Sequence, residues 1–327
     1  MTRQREQDPS VPLELFAERV AVAFPGQGSQ GRGMGALWRE HPAWDVVERA
    51  EAQLGRRLAP MLLDPSAAPQ GPVETQLAVV LCSLMAWSAL EPVLGPVVLA
   101  GHSLGLVPAL QAAGVLSLEG AISVASLRAE ETARACADRP GGMAVVLMPA
   151  EDAKAACAGA ECWVANDNAP RQSVIAGTTV GLGAGMAAAH SHGADDVIRL
   201  EIAGAFHTPL MTEAAERLAA LLKDVPFTRA RRVIVHNGTG HMPDDETDWR
   251  AAAAADIVMP VRWRQTQLLV GRAGLETFVE AGYGRTLTGI AKRTLGRRRL
   301  KLCNVGGPQA VATITEAIHP ADRVELG

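Results

Sequence analysis

Short apolar runs bounded by turn residues alternate along the chain with longer stretches whose apolar positions recur every three or four residues. The runs "VAVAF" (20–24), "PVVLAG" (96–101), "RVIVHN" (232–237) and "ETFVEAG" (276–282) predict strands, and the helical period predicts helices over 42–57, 74–91, 104–114, 117–137 and 209–223. Strands alternating with helices define an α/β layer fold. The middle of the chain follows another rhythm. "MAVVLM", "AEDAKAACAG", "CWVANDN", "SVIAG", "VGLGAGMAAAHSHG" and "DDVIRLEIA" read in the order βαββαβ, the ferredoxin-like pattern. The expected organisation is a polar tail over 1–18, an α/β body made of 19–140 and 205–305, a small subdomain inserted over 141–204, and a C-terminal segment over 306–327.

Composition narrows the picture. A chain of 327 residues with 48% apolar and 20% charged residues buries a large core. The net charge of -4 argues against global nucleic-acid binding. Cys82, Cys136, Cys157, Cys162 and Cys303 are odd in number and lack metal-ligand spacing, so free thiols in a reduced compartment and no metal are expected. The start, "MTRQREQDPSVP", has no apolar signal core, and the longest apolar run, "LAVVLCSLMAW", is too short to cross a bilayer. The expected location is the cytoplasm, without membrane association.

Candidate chemistry centres on "VVLAGHSLGLVPALQAAG", where G-x-S-x-G (Gly101 to Gly105) lies between an apolar strand and an amphipathic helix. A nucleophile elbow requires this setting: the glycines permit a sharp turn that lifts Ser103 out of the sheet, and the helix N-terminus favours negative charge. The plainer reading is a glycine-rich turn with an exposed serine. A nucleophilic serine needs a base. Of eight histidines, His207 in "AGAFHTPLM" falls where the inserted subdomain returns to the body, and such crossings line clefts; the alternative is a helix-entry histidine. Arg128 falls on or beside the buried stripe of "LEGAISVASLRAEETARA" and needs a partner, either Glu131 one turn on or a substrate carboxylate. The loop "FPGQGSQGRGMG" carries G-x-G-x-x-G after a strand, but dinucleotide binding requires a second strand ending in an acidic residue, and the following "PAWDVVERAEAQLGRRL" is helical.

Taken together and in order, "FPGQGSQ", "GHSLG", "SLRAE", "VANDNAPRQSVIAG", "GAFHTPLM", "PVRW" and "GRTLTGIAKR" resemble the malonyl-CoA:acyl-carrier-protein transacylase family and the acyltransferase domains of polyketide synthases, from about residue 20 to 293. The resemblance implies an α/β-hydrolase-like large subdomain with an inserted ferredoxin-like small subdomain. It implies Ser103 as the acylated nucleophile, His207 as its base, and the amides of Gln27 and Leu104 as an oxyanion hole. Arg128, 25 residues after Ser103 (128 minus 103), matches the arginine that pairs with the malonyl carboxylate. Phe206 resembles the malonyl-selective rather than the methylmalonyl-selective type. Asn168 matches a cleft residue, and "NAPRQSVIAG" also resembles the transacylase subunit of malonate decarboxylases.

Asp256 stands where the family often carries a glutamine whose backbone carbonyl orients the histidine, and its carboxylate offers a triad instead. Leu106 and Ala129 replace the usual polar residue after the elbow and the usual glycine after the arginine. The implied reaction is a ping-pong transfer from acyl-CoA to the phosphopantetheine of an acyl carrier protein, for fatty-acid or polyketide synthesis, by a monomer without a cofactor of its own. The basic run holding Lys292, Arg293, Arg297, Arg298 and Arg299 is a solvated helix face or a docking patch for an acidic carrier. An editing acyl hydrolase of the same fold is the remaining enzyme reading, and the presence of Arg128 weighs against it.

Overall fold

The computed structural model describes residues 19–244, 246–296 and 300–318. The polar tail, Arg297, Arg298 and Arg299 of the basic run, and 319–327 of the C-terminal segment lie outside the described residues. The strands are β1 (Val20–Phe24), β2 (Val97–Gly101), β3 (Gly141–Val146), β4 (Cys162–Ala169), β5 (Gln172–Thr178), β6 (Val197–Ala203), β7 (Val233–Val235), β8 (Thr277–Ala281) and β9 (Lys301–Val305). They form two sheets: a five-stranded one in the order β7-β2-β1-β8-β9 and a four-stranded one in the order β4-β5-β3-β6. Every pairing in the first is parallel, and every pairing in the second is antiparallel.

The parallel sheet is covered on both sides, which is why β1, β2 and β8 are buried at every position; β1 and β2 read as continuous apolar runs, while β8 also buries Thr277 and Glu280. Val20, Val22 and Phe24 of β1 enter the cluster built on Leu77, Leu81 and Trp87, while Ala21 and Ala23 enter the opposite cluster with Trp263, Leu269 and Phe278. Helix Pro72–Leu90 accounts for much of the first layer. With its final turn it makes a 22-residue span whose 18-residue apolar window has a mean hydropathy of 1.5, so the structure extends the run "LAVVLCSLMAW" into a helix long and apolar enough to cross a bilayer by length and composition. Its hydrophobic face is used otherwise, since 78% of the apolar window is buried inside the protein.

The second sheet carries helices Ala150–Ala156 and Thr179–Ser191 on one face, around Ala144, Val146, Ile175 and Leu182. Its other face, with Met143, Ala165, Val174 and Ala176, packs on Ala205 and Phe206. This is the βαββαβ arrangement expected from the sequence. The small sheet is joined to the body by a backbone bridge between Asn166 and Val261: Asp167 N donates to Val261 O (2.9 Å) and Val261 N to Ala165 O (2.8 Å). Arg264 adds a charged contact across the same seam, Nε to Asp167 Oδ1 at 2.9 Å.

The structure departs from the sequence reading at particular places. The helix expected over 104–114 begins as a 3-10 turn, Ser103–Gly105, and becomes α-helical only over Leu106–Ala112. Strand β9 follows a basic run, and only Val305 of its five positions is buried, so it lacks the apolar signature of the inner strands. Where β2 ends, Gly101 and Gly105 face one another so closely that a Cβ on Gly101 would overlap the Gly105 carbonyl, and one on Gly105 would overlap the Phe24 carbonyl.

This packing makes the elbow intolerant of a single methyl group. Gly105→Ala is expected to destabilise the protein by about 3 kcal/mol or more, because the blocking atoms are backbone. Gly289→Ala, on an exposed helical position with nothing within 4 Å of the added carbon, is expected to be stabilising by about 0.5–1 kcal/mol. Denaturant midpoints of the two variants and the parent check both signs.

Candidate active site

Ser103 sits at the carboxyl end of β2, on the turn into helix Leu106–Ala112, with φ 53°. His207 follows β6 on the return crossing from the small subdomain, with φ 61°. Ser103 Oγ lies 2.6 Å from His207 Nε2. His207 Nδ1 lies 2.9 Å from the Asp256 carbonyl and 2.8 Å from the Met259 carbonyl. Carbonyls only accept, so the proton belongs on Nδ1, and Nε2 is left as the acceptor facing the serine hydroxyl. The histidine backbone is held by its N–H donating to Ile257 O at 2.8 Å.

Burial shapes the charge of this group. His207 and His102 are each pushed down to about 4 by desolvation; the positive charge of Arg128 adds to the effect on His207, while the bond to Asn168 opposes it for His102. His207 is therefore a neutral imidazole at physiological pH, the form able to accept a proton.

Arg128 is 2% exposed. Its Nη1 donates to Gln76 Oε1 at 2.5 Å, and its Nη2 lies 3.4 Å from Ser103 Oγ. The intrahelical pairing with Glu131 is not formed: Glu131 accepts instead from Arg217 Nε at 2.6 Å and pairs with Arg134 at 3.6 Å. Gln76 is fixed in turn, since its Nε2 donates to Thr132 Oγ1 (2.9 Å). The carboxylate of Asp256 does not reach His207 as a triad would require. It accepts from Asn237 Nδ2 and faces Arg128 Nη2 at 3.7 Å, so Asp256 touches the histidine through its carbonyl alone. Gln76, Asn237 and the carbonyl of Met259 are members of this cluster that the sequence reading did not single out.

A cavity of about 180 Å³ opens on Ser103 and His207, with Gln27, His102, Asn168 and Phe206 among its walls. The loop carrying Gln27 is held against the elbow: His102 N donates to Phe24 O at 2.9 Å, and a Cβ on Gly26 would stand 2.6 Å from the His102 carbonyl. Gly28 takes φ 96°, a conformation open to glycine. The glycines of this loop therefore serve a tight turn and close backbone approach. Asn168 Oδ1 lies 2.9 Å from His102 Nε2, tying the small subdomain to the elbow. Leu104, Leu106 and Ala129 are buried, and Leu106 belongs to the core around helix Pro72–Leu90. A second, larger groove of about 1030 Å³ also reaches His207, between helix Ala150–Ala156 and residues 258–265. Among the described residues, no three His, Cys, Asp or Glu side chains are grouped to hold a metal ion.

A serine on a strand-to-helix elbow, paired with an imidazole and flanked by a buried arginine, is the apparatus of an acyl-transferring α/β enzyme, and residues 22–313 match the acyl transferase domain: the chain belongs to the acyl transferase family. It is 32% identical over 303 residues to the malonyl CoA-acyl carrier protein transacylase of Bacillus subtilis, covering 90% of this chain and 95% of that protein. Its fold matches the solved malonyl CoA-acyl carrier protein transacylase of Coxiella burnetii with a TM-score of 0.85 and 26% identity, over 91% of this chain and 97% of that one. It also matches, with a TM-score of 0.86 and 29% identity over 92% of this chain and 100% of that one, a malonyl-transacylase solved in complex with its type II polyketide-synthase acyl-carrier protein. The shared fold is the large α/β subdomain with its ferredoxin-like insertion.

Two pH effects follow from the depressed histidine. Acylation of Ser103, followed by intact-mass spectrometry, is expected to persist well below the ordinary imidazole value of 6.5 and to fall away only near about 4. Between those values the unfolded chain binds protons that folded His207 and His102 do not, so stability is expected to drop as pH falls from 6.5 toward about 4. Denaturant titrations at a series of pH values check the slope, and His207→Gln should reduce the protons taken up on unfolding by about one.

Proposed function

We propose that this acyltransferase moves a malonyl group from CoA to the phosphopantetheine thiol of an acyl carrier protein through an acyl-Ser103 intermediate, in fatty-acid or polyketide synthesis. The observation that carries this reading is the buried guanidinium of Arg128, 3.4 Å from Ser103 Oγ. A fixed cation beside the nucleophile suits an acyl group that ends in a carboxylate, which the planar fork holds bidentately. The relatives named above carry malonyl transfer in their descriptions, which supports the same assignment.

In this mechanism Ser103 attacks the thioester while His207 Nε2 takes its proton, and the imidazolium formed is steadied by the Asp256 and Met259 carbonyls at Nδ1. The amides of Gln27 and Leu104 receive the oxyanion of the tetrahedral intermediate. CoA departs as the thiol with the proton returned by His207, and the carrier's thiol then attacks the acyl-serine in the second half of the cycle. Phe206 crowds the acyl position and disfavours a 2-methyl branch, and Asn168 keeps His102 and the cavity wall in place.

Carrier docking is assigned to Lys292 and Arg293. Both are exposed on helix Thr286–Leu295, whose Thr286, Leu287 and Ile290 line the cavity. An acidic carrier is drawn to such a face by charge. The enzyme works as a cytoplasmic monomer with no cofactor of its own beyond the acyl-CoA substrate.

Incubation with malonyl-CoA is expected to add one malonyl group to Ser103, seen by intact-mass spectrometry and lost in Ser103→Ala. Arg128→Ala should lower malonyl loading by ~100-fold or more, since a carboxylate is left without its partner, and lower acetyl loading by much less. Loading of acetyl or longer acyl groups with none of malonyl, or equal losses in Arg128→Ala, contradicts the assignment.

A further inference from the structure

The cation assigned to the substrate is already partnered. Arg128 Nη2 faces Asp256 Oδ2 at 3.7 Å, and the two side chains are 3% and 4% exposed. The remaining neighbours are neutral: Gln76 on Nη1, Asn237 on the Asp256 carboxylate, and the Ser103 hydroxyl. The buried cluster beside Ser103 thus holds one positive and one negative charge. A neutral acyl group leaves that pair intact, so it does not strand a desolvated guanidinium. A dicarboxylic acyl group instead brings a second anion to the same cation, and two carboxylates sharing a buried site repel each other.

We propose that Asp256 is an internal counter-anion that competes with the acyl carboxylate for Arg128, and so sets how strongly the enzyme prefers a dicarboxylic over a neutral acyl group. This rests on the malonyl reading above and adds a specificity-determining residue to it. Asp256 does so with its side chain, while its carbonyl holds His207, so the two duties are separable: an amide at this position keeps the carbonyl and removes the charge.

The competition also couples loading to protons. The groups facing Asp256 are Arg128, Asn237, His236 and His102, with His207 on its carbonyl; burial raises its pKa above the usual carboxylate range, while the Arg128 charge and the Asn237 bond oppose that rise. A malonyl carboxylate on Arg128 draws on the same charge and raises the value further, so binding takes up a proton on Asp256. Proton uptake on binding means that malonyl loading weakens, relative to acetyl loading, as pH rises.

The test measures kcat/KM for Ser103 acylation by malonyl-CoA and by acetyl-CoA in the unaltered protein and in Asp256→Asn. The malonyl-to-acetyl ratio is expected to rise ~10-fold or more in Asp256→Asn, with acetyl loading reporting the state of the Ser103–His207 pair in the same samples. In the unaltered protein the ratio is expected to fall as pH rises, and in the variant to stay flat. A ratio that is unmoved or lowered in Asp256→Asn overturns the proposal while leaving malonyl transfer standing. If the variant does not fold, a pH-independent ratio in the unaltered protein overturns it equally. Malonyl accepted by neither protein defeats the functional reading and this inference together, and malonyl accepted by Asp256→Asn alone defeats the functional reading on which this inference rests.

Discussion

The contact between Ser103 and His207 depends on two backbone conformations that side chains other than glycine seldom adopt. Among the described residues, these two are the non-glycine positions at positive φ, 53° and 61°. Such conformations persist where the surroundings over-determine them. At Ser103 the surroundings are the 3-10 turn, the His102 amide on Phe24 and the close meeting of Gly101 with Gly105. At His207 they are the amide on Ile257, the two carbonyls at Nδ1, and Thr208 Oγ1 donating to Ala205 O at 2.6 Å. The elbow at the end of the parallel sheet supplies the first set, and residues 256–259 with the return crossing near 205–208 supply the second, so the pair depends on segments far apart in the chain.

Much of this was legible in the sequence because it rests on local pattern. The apolar run ending in Gly101-His102-Ser103-Leu104-Gly105 announces the elbow, and the βαββαβ rhythm announces the inserted sheet. What escaped depends on partners far away along the chain. Glu131, one turn from Arg128, is one of the two partners the sequence offers, yet Arg217 claims it from another helix. Gln76 and Asn237 carry no motif, and their importance comes from being folded against Arg128 and Asp256. Strand β9 escaped for a different reason, since an edge strand with one buried position gives no run of apolar residues.

The electrostatics of the site share one cause, the removal of water. Burial keeps His207 neutral and pushes Asp256 up, and it lowers Arg128 against the restoring pull of that same aspartate. Gln76 answers desolvation on both sides of its amide, accepting from the arginine while donating to Thr132. A neutral base beside a compensated cation is a combination that water would erase.

The bridge from Asn166 to Val261 bears on how such a chain can diversify. The inserted subdomain is attached to the body by its two crossings and also by strand-like pairing in its middle, reinforced by Arg264 on Asp167. Any recombination that exchanges the insertion at its crossings must therefore also bring a compatible 261–264 segment, some sixty residues downstream of the second crossing near residue 204. Inheritance of the insertion and of that distant segment is thus linked, and new acyl preferences are more readily reached by single replacements on the cavity wall than by trading the whole module.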